Sequence, residues 1–160
     1  MSVHSGFLGA YYSVKPRLRE LLDRLIDSPG WTVLVTGHSL GGALATLCSF
    51  ELANRIYVDG HAPAAVRCYT FGSPRVGNGV FAGRFRESVP DNWRVHNRDD
   101  LIPMVPRLLG YTHVENGVAL DDDGKLEING AQELVIGEGA EADKVINSIS
   151  GELLRQVQGG

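Results

Sequence analysis

The chain has 160 residues, enough for one domain with a hydrophobic core, and 43% of them are hydrophobic, as is ordinary for a globular protein. A formal net charge of −4 gives no electrostatic argument for nucleic-acid binding, and no apolar run reaches the ~20 residues of a transmembrane helix. Residues 1–12 lack the basic flank and apolar core of a signal peptide.

The first predicted element is an amphipathic helix near the amino terminus. Pro16 marks a kink or a fresh start within it, and Ser28-Pro29-Gly30 ends it. Its apolar residues recur at helical spacing and form one stripe: Tyr11, Val14, Leu18, Leu21, Leu22, Leu25 and Ile26.

A strand, a sharp turn and a second helix are predicted next. Thr32–Thr36 is β-branched and almost entirely apolar, which is typical of a parallel strand buried on both faces. Ala43–Leu52 has a helix pattern that is apolar on most sides. The turn between them is Gly37–Gly42, and Gly37 and Gly41 are expected to let the strand and helix backbones approach closely.

This turn carries a serine within a Gly-x-Ser-x-Gly sequence. A serine placed between a strand and a helix in this way is typical of a nucleophile, so the hydroxyl of Ser39 is expected to stand at the helix N-terminus. The backbone amide of Leu40 would then donate to an oxyanion bound there, assisted by the helix dipole. The alternative interpretation is a glycine-rich turn with a capping serine.

The rest of the chain alternates strands and helices before it changes to a hairpin. Because that order favours a parallel sheet, we predict an α/β fold: a mostly parallel sheet with helices on both faces and a C-terminal hairpin plus helix, in a single domain over residues 1–160. The predicted elements are strands at Val66–Phe71 and Trp93–Asn97, a helix at Val80–Val89, a hairpin formed by His113–Leu120 and Lys125–Ile136, and a last helix from Ala142 to Val157.

Two acidic residues follow the third predicted strand. Reactive groups gather at the carboxyl ends of parallel strands, and the carboxylate that orients a catalytic histidine would follow this strand. Asp99 and Asp100 both satisfy that condition, and a solvated loop acid or a helix cap is the alternative for either. Cys48 and Cys68 fall in a predicted helix and a predicted strand, so buried thiols are expected rather than a disulfide or a metal site.

Five segments, in this order, resemble the fungal-type, class 3 lipases: VHSGF at Val3–Phe7, VTGHSLGGALATL at Val35–Leu47, YTFGSPRVGN at Tyr69–Asn78, RVHNRDDLIPMVP at Arg94–Pro106 and GYTHVENGV at Gly110–Val118. The resemblance implies an α/β-hydrolase fold and hydrolysis of acylglycerol or polar-lipid esters without a metal or an organic cofactor. It implies that Ser39 is the nucleophile, that the Leu40 amide is one oxyanion donor, and that the triad acid is Asp100 and not Asp99.

The chain departs from the family at its amino terminus. In the family the second oxyanion donor and the lid lie upstream of the VHSGF segment, and here only Met1 and Ser2 precede it. We therefore expect a lipase-like domain that is incomplete at its N-terminus.

The triad histidine is the second departure. In the family it comes well downstream of the acid, yet of the five histidines here only His113 follows Asp100. His113 satisfies the chain order Ser, Asp, His, but it stands in GYTHVENGV, where the histidine of the family is structural. His4 is expected to be a hydrogen-bonded structural histidine and His38 a packing residue. Three possibilities remain for the triad base: it is His113, another residue has replaced the histidine, or the histidine lies beyond this chain.

The resemblance implies a lipid ester hydrolase whose partners are its lipid ester substrate and, transiently, a membrane or lipid-droplet surface. The sequence gives no indication of oligomeric state, acyl-chain length, head group or compartment. One alternative is a catalytically inactive hydrolase-like domain that binds lipid or a partner. The other is an esterase or thioesterase that acts on soluble substrates.

Overall fold

The computed structural model describes residues 1–28, 30–55, 63, 65–97, 110–114, 116–121, 123, 126–128 and 131–134. Its helices are α1 (Ser5–Leu25), α2 (Leu40–Asn54) and α3 (Gly79–Ser88). Its strands are β1 (Thr32–His38), β2 (Ala65–Phe71), β3 (Gly77–Asn78), β4 (Asn92–Asn97), β5 (Tyr111–Thr112), β6 (Gly117–Leu120), β7 (Leu126–Ile128) and β8 (Ala131–Leu134). None of the described helices is both long enough and apolar enough to cross a membrane.

The strands form a mostly parallel sheet, as predicted. The sheet has six strands in the order β1-β2-β4-β6-β7-β8; the first four run parallel, and β7 and β8 continue it in antiparallel fashion. Strands β3 and β5 form a separate antiparallel pair, to which Val3 adds a single bridge at Gly77. The predicted strands at Val66–Phe71 and Trp93–Asn97 are confirmed, each parallel to the strand that precedes Ser39.

The three described helices cover one face of this sheet. Helices α2 and α3 each connect neighbouring parallel strands in the same direction across the sheet, so two right-handed crossovers place both on the same side. Their side chains meet there: the Phe50 ring of α2 lies 5.2 Å from the Phe81 ring of α3. Helix α1 packs on α2, and the Tyr11 hydroxyl donates to Glu51 at 3.1 Å.

The opposite face of β1, β2 and β4 is exposed in the part of the chain that the structure describes. Leu34, Phe71 and Trp93 have exposed fractions of 42%, 46% and 38% on these strands. The prediction that β1 is buried on both faces is therefore not met within these residues, because no described helix packs against this face and every second residue of β1 is exposed. Helices are present on one of the two predicted faces, and the predicted last helix, from Ala142 to Val157, lies outside the described residues.

Helix α2 is apolar all round because it is enclosed by the sheet, α1 and α3. Cys48 on α2 and Cys68 on β2 are free, buried thiols, as expected. Burial raises the pKa of Cys48 to about 11 and also raises the pKa of Cys68, so both stay protonated and unreactive near neutral pH.

The C-terminal hairpin is confirmed, with one addition. Strands β6 and β7 pair in antiparallel fashion, and Leu120 lies opposite Leu126. The predicted second strand, Lys125–Ile136, is in fact two antiparallel strands, β7 and β8. The two residues between these strands in sequence are Asn129-Gly130, and Asn-Gly is a strong sequence signal for a two-residue hairpin turn.

Glycines permit the close packing of α2 on the sheet, but not both of the two that were predicted. A Cβ atom on Gly37 would overlap the backbone carbonyl of Gly41, and one on Gly42 would lie 2.8 Å from the Cβ atom of Ser73. A Cβ atom on Gly41 would meet nothing within 4 Å. The expectation for Gly37 is thus confirmed, whereas Gly42 and not Gly41 is the second glycine at the close contact.

This contact gives a matched pair of substitutions. Gly37→Ala should lower the free energy of unfolding by about 3 kcal/mol or more, since the overlap is with backbone and cannot be relieved by a rotamer change. Gly41→Ala should stay within about 1 kcal/mol of the parent, because a helical alanine is favoured over glycine. Urea unfolding followed by circular dichroism measures both values. Equal midpoints for the two variants would contradict the packing described.

Candidate active site

Ser39 occupies the sharp turn between β1 and α2. Its backbone has φ 53° and ψ −122°, a conformation that residues with a side chain rarely adopt and that costs about 1–3 kcal/mol. The prediction that Ser39 joins the strand to a helix that begins at Leu40 is confirmed.

Backbone hydrogen bonds hold this strained residue from both sides. The Ser39 amide donates to the carbonyl of Phe71, at the end of the neighbouring strand β2, at 2.9 Å. The Ser39 carbonyl accepts from the amides of Gly42 and Ala43 in the first turn of α2, at 3.0 and 3.3 Å. The sheet and the helix therefore fix the two peptide units on either side of Ser39, so the turn cannot relax without breaking one of these sets of hydrogen bonds.

The Ser39 hydroxyl is not used to hold the fold. Ser39 is the N-cap residue of α2, yet its side chain makes no capping hydrogen bond and has no hydrogen-bond partner among the described residues. The side chain is half-buried. The alternative of a capping serine is therefore not met, and the hydroxyl remains available to a reactant.

The backbone amides beside Ser39 suit an oxyanion. Helix α2 begins at Leu40, and an amide at the first position of a helix has no acceptor within that helix. The amides of Gly42 and Ala43 are already bound to the Ser39 carbonyl, so the Leu40 amide is the free donor nearest to the hydroxyl along the described chain. The partial positive charge of the helix N-terminus adds to its attraction for an anion.

The candidate acids lie beyond the described residues. Strand β4 ends at Asn97, and Asp99 and Asp100 follow it outside the described part. The carboxyl end of β4 lies at the same end of the parallel strands as Ser39, because the amide of Gly72, just after β2, donates to the carbonyl of Val95 on β4 at 2.8 Å. Two strand spacings, about 10 Å, separate β1 from β4. The choice of Asp100 over Asp99, and a side-chain separation of roughly 6–9 Å from Ser39, stay predictions.

None of the described histidines hydrogen-bonds to the Ser39 hydroxyl. His38 is exposed on β1, and His96 is half-buried, with its Nδ1 atom 3.0 Å from the Asn97 carbonyl. His113 follows β5, and its carbonyl accepts from the Thr112 hydroxyl at 3.1 Å. The geometry of the described residues thus gives the serine no base.

His4 packs as a structural residue but without the expected hydrogen bond. Its ring lies 4.4 Å from the Phe7 ring and 6.1 Å from the Tyr111 ring. Its Nδ1 atom is buried and has no hydrogen-bond partner among the described residues. The ring contacts therefore hold the start of α1 against the β3–β5 pair.

Comparison with known proteins identifies the family to which this chain is related. The family described as lipase (class 3) matches residues 1–109. A lipase of Rhizomucor miehei is 38% identical over 113 residues, which are 69% of this chain and 31% of that protein. A chloroplastic phospholipase A(1) of Arabidopsis thaliana is 38% identical over 125 residues, which are 74% of this chain and 27% of that protein.

Solved structures agree with this result. The structure of a triacylglycerol lipase whose catalytic centre is described as a serine protease triad superposes with a TM-score of 0.62 and 31% identity, over 76% of this chain and 46% of that one. The chain spans about a third of the length of the curated relatives it matches. The match over residues 1–109 covers more than half of the chain, and the chain therefore belongs to the class 3 lipase family.

Proposed function

We propose that this chain is the nucleophile-bearing part of a lipid ester hydrolase, in which Ser39 attacks the ester carbonyl. The observation that carries the proposal is the strained backbone of Ser39, held from both sides while its hydroxyl makes no structural hydrogen bond. Strain at a residue whose side chain does nothing for the fold is typical of a functional site. Membership of the class 3 lipase family supports the same reaction.

The proposed reaction is acyl transfer in two steps. The Ser39 oxygen bonds to the ester carbonyl carbon while its proton passes to a histidine base, and the Leu40 amide donates to the oxyanion that forms. The C–O bond to the alcohol then breaks, and the alcohol leaves with that proton. Water attacks the acyl-serine in the same way and releases the fatty acid. Asp100 would orient the base.

Exposed apolar side chains beside Ser39 support a lipid substrate. Leu40, the next residue in sequence, is 49% exposed, and Phe71, whose carbonyl accepts from the Ser39 amide, is 46% exposed. An acyl chain that enters the site could contact both side chains and bury them. Relatives named lipase and phospholipase A(1) support a glycerolipid as the substrate of this chain. Such a substrate would bring the protein into transient contact with a membrane or lipid-droplet surface.

One observation favours a second candidate, a catalytically inactive domain that binds lipid or a partner. No described histidine hydrogen-bonds to the Ser39 hydroxyl. A triad without its histidine loses about 10⁶-fold in turnover, and the rest of the site leaves about 10³–10⁴-fold over water. The loss of one oxyanion donor, taken alone, lowers the turnover roughly 10²–10³-fold.

We therefore expect residues 1–160, expressed alone, to hydrolyse a short-chain p-nitrophenyl ester at close to the background rate. Added imidazole, which can act as the missing base, should raise that rate and the labelling of Ser39 by a phosphonate. Ser39→Ala should abolish the imidazole-dependent increase in both the hydrolysis rate and the labelling. Ser49→Ala should keep it, since the Ser49 hydroxyl is fully buried and donates to the Ala45 carbonyl at 2.8 Å.

Two outcomes would change this assignment. An imidazole effect that is the same in Ser39→Ala would mean that Ser39 is not the nucleophile and would favour the inactive domain. Fast labelling without imidazole that His113→Ala abolishes would assign the base to His113. A rise in rate at the aggregation limit of the substrate would separate a lipase from an esterase for soluble substrates.

A further inference from the structure

Two arginines on the covered side of the sheet have buried guanidinium nitrogens without acceptors. These atoms are Nε of Arg75 and both Nε and Nη1 of Arg94, and no described residue lies within hydrogen-bond distance of them. Two other arginines of the sheet and its helices are paired: Arg67 contacts Asp91 at 3.0 Å, and Arg55 contacts Asp23 at 2.6 Å. Arg75 and Arg94 form no such ion pair within those ranges.

The fold brings these two arginines together. Arg94 lies on β4 opposite Thr70 of β2, and Thr70 and Asn92 on the same face are each 2% exposed. Arg75 belongs to the segment between β2 and β3, which is held over the end of β4 by the hydrogen bond from Gly72 to Val95. Burial, and then the nearby charge of Arg75, lower the pKa of Arg94 to about 10.

Two like charges in a buried place raise the free energy of the folded state unless an anion balances them. Asn92 Oδ1 is also buried and unpaired on this face, but a neutral amide oxygen cannot balance charge. A guanidinium group presents parallel N–H donors whose spacing matches the two oxygens of a carboxylate.

We propose that Arg75 and Arg94 form a binding site for one carboxylate, whose two oxygens bridge the two guanidinium groups. Either a side-chain carboxylate of the protein or a free carboxylate ion presents this group. These two sources present the same chemistry to the arginines. This site is independent of the hydrolysis proposed above.

A double-mutant cycle tests the site without interference from lost packing. Arg75→Met, Arg94→Met and the double variant are compared with the parent chain by their urea midpoints in a buffer that contains sodium acetate, so that the site is filled whichever source supplies the carboxylate. A bridging carboxylate is lost with either arginine, so the double variant should lower the midpoint by less than the sum of the two single variants. Two unbridged like charges would give the reverse, a double variant that loses more than the sum. An additive or reversed cycle would overturn the proposal.

Two further measurements complete the test. Arg75→Met combined with Arg67→Met is the control and should be additive, because Arg67 contacts Asp91 on the opposite face of the sheet. If a single variant does not fold, the proton chemical shifts of the guanidinium Nε–H groups are measured in the parent chain in acetate. Downfield shifts at both Arg75 and Arg94 indicate hydrogen bonds to a carboxylate and support the proposal, and a shift at the value of free arginine for either overturns it.

Sodium acetate distinguishes the source of the carboxylate. At constant ionic strength, a rise in the urea midpoint of the parent but not of the double variant would identify a free carboxylate ion as the ligand. No effect of acetate on the parent, together with a less-than-additive cycle, would identify a side chain of the protein.

Discussion

The structure depends on one close contact, where the first turn of α2 meets the end of β1. Gly37 has no side chain, and the carbonyl of Gly41 occupies the space that a Cβ atom would need. The chain can reverse within one residue only because of this contact, and that residue is Ser39, with φ 53°. Hydrogen bonds from the end of β2 and from the start of α2 then hold the serine in a conformation that it would not adopt alone. The position of the hydroxyl is thus a consequence of backbone packing.

The same contact organises the sheet around it. Because α2 and α3 both cross over between neighbouring parallel strands with the same hand, they lie on the same face of the sheet, and Phe50, Phe81 and Phe85 close the core between them. The carboxyl ends of β1, β2 and β4 lie side by side, so Ser39 and Asn97, the last residue of β4, are at the same end of the parallel strands. The other face leaves Leu34, Phe71 and Trp93 exposed within the described residues, and two exposed apolar side chains, Leu40 and Phe71, flank the serine.

Much of this could be predicted from sequence, because the deciding signals are local. The β-branched run of Thr32–Thr36, the glycines around Ser39 and the apolar pattern after Leu40 determine the strand, turn and helix within about twenty residues. What could not be predicted depends on neighbours that are distant in sequence. An apolar strand has the same pattern whether or not other elements cover its second face, so the exposed face of β1 could not be predicted from its own residues. Whether Gly41 or Gly42 makes the close contact depends on Ser73, thirty-one residues away from Gly42.

The site is less predictable than the fold for the same reason. A motif points to Ser39 and the Leu40 amide, whereas the proposed acid and base are remote from that motif in sequence, and the arginines with buried nitrogens carry no local signal at all. The most direct test of the central claim, that Ser39 is held in a strained conformation, compares Ser39→Gly with Ser39→Ala by urea unfolding. We predict that Ser39→Gly is more stable by about 1 kcal/mol, since glycine adopts φ 53° without strain. A less stable glycine variant would contradict the account, because glycine would then cost chain entropy and relieve nothing.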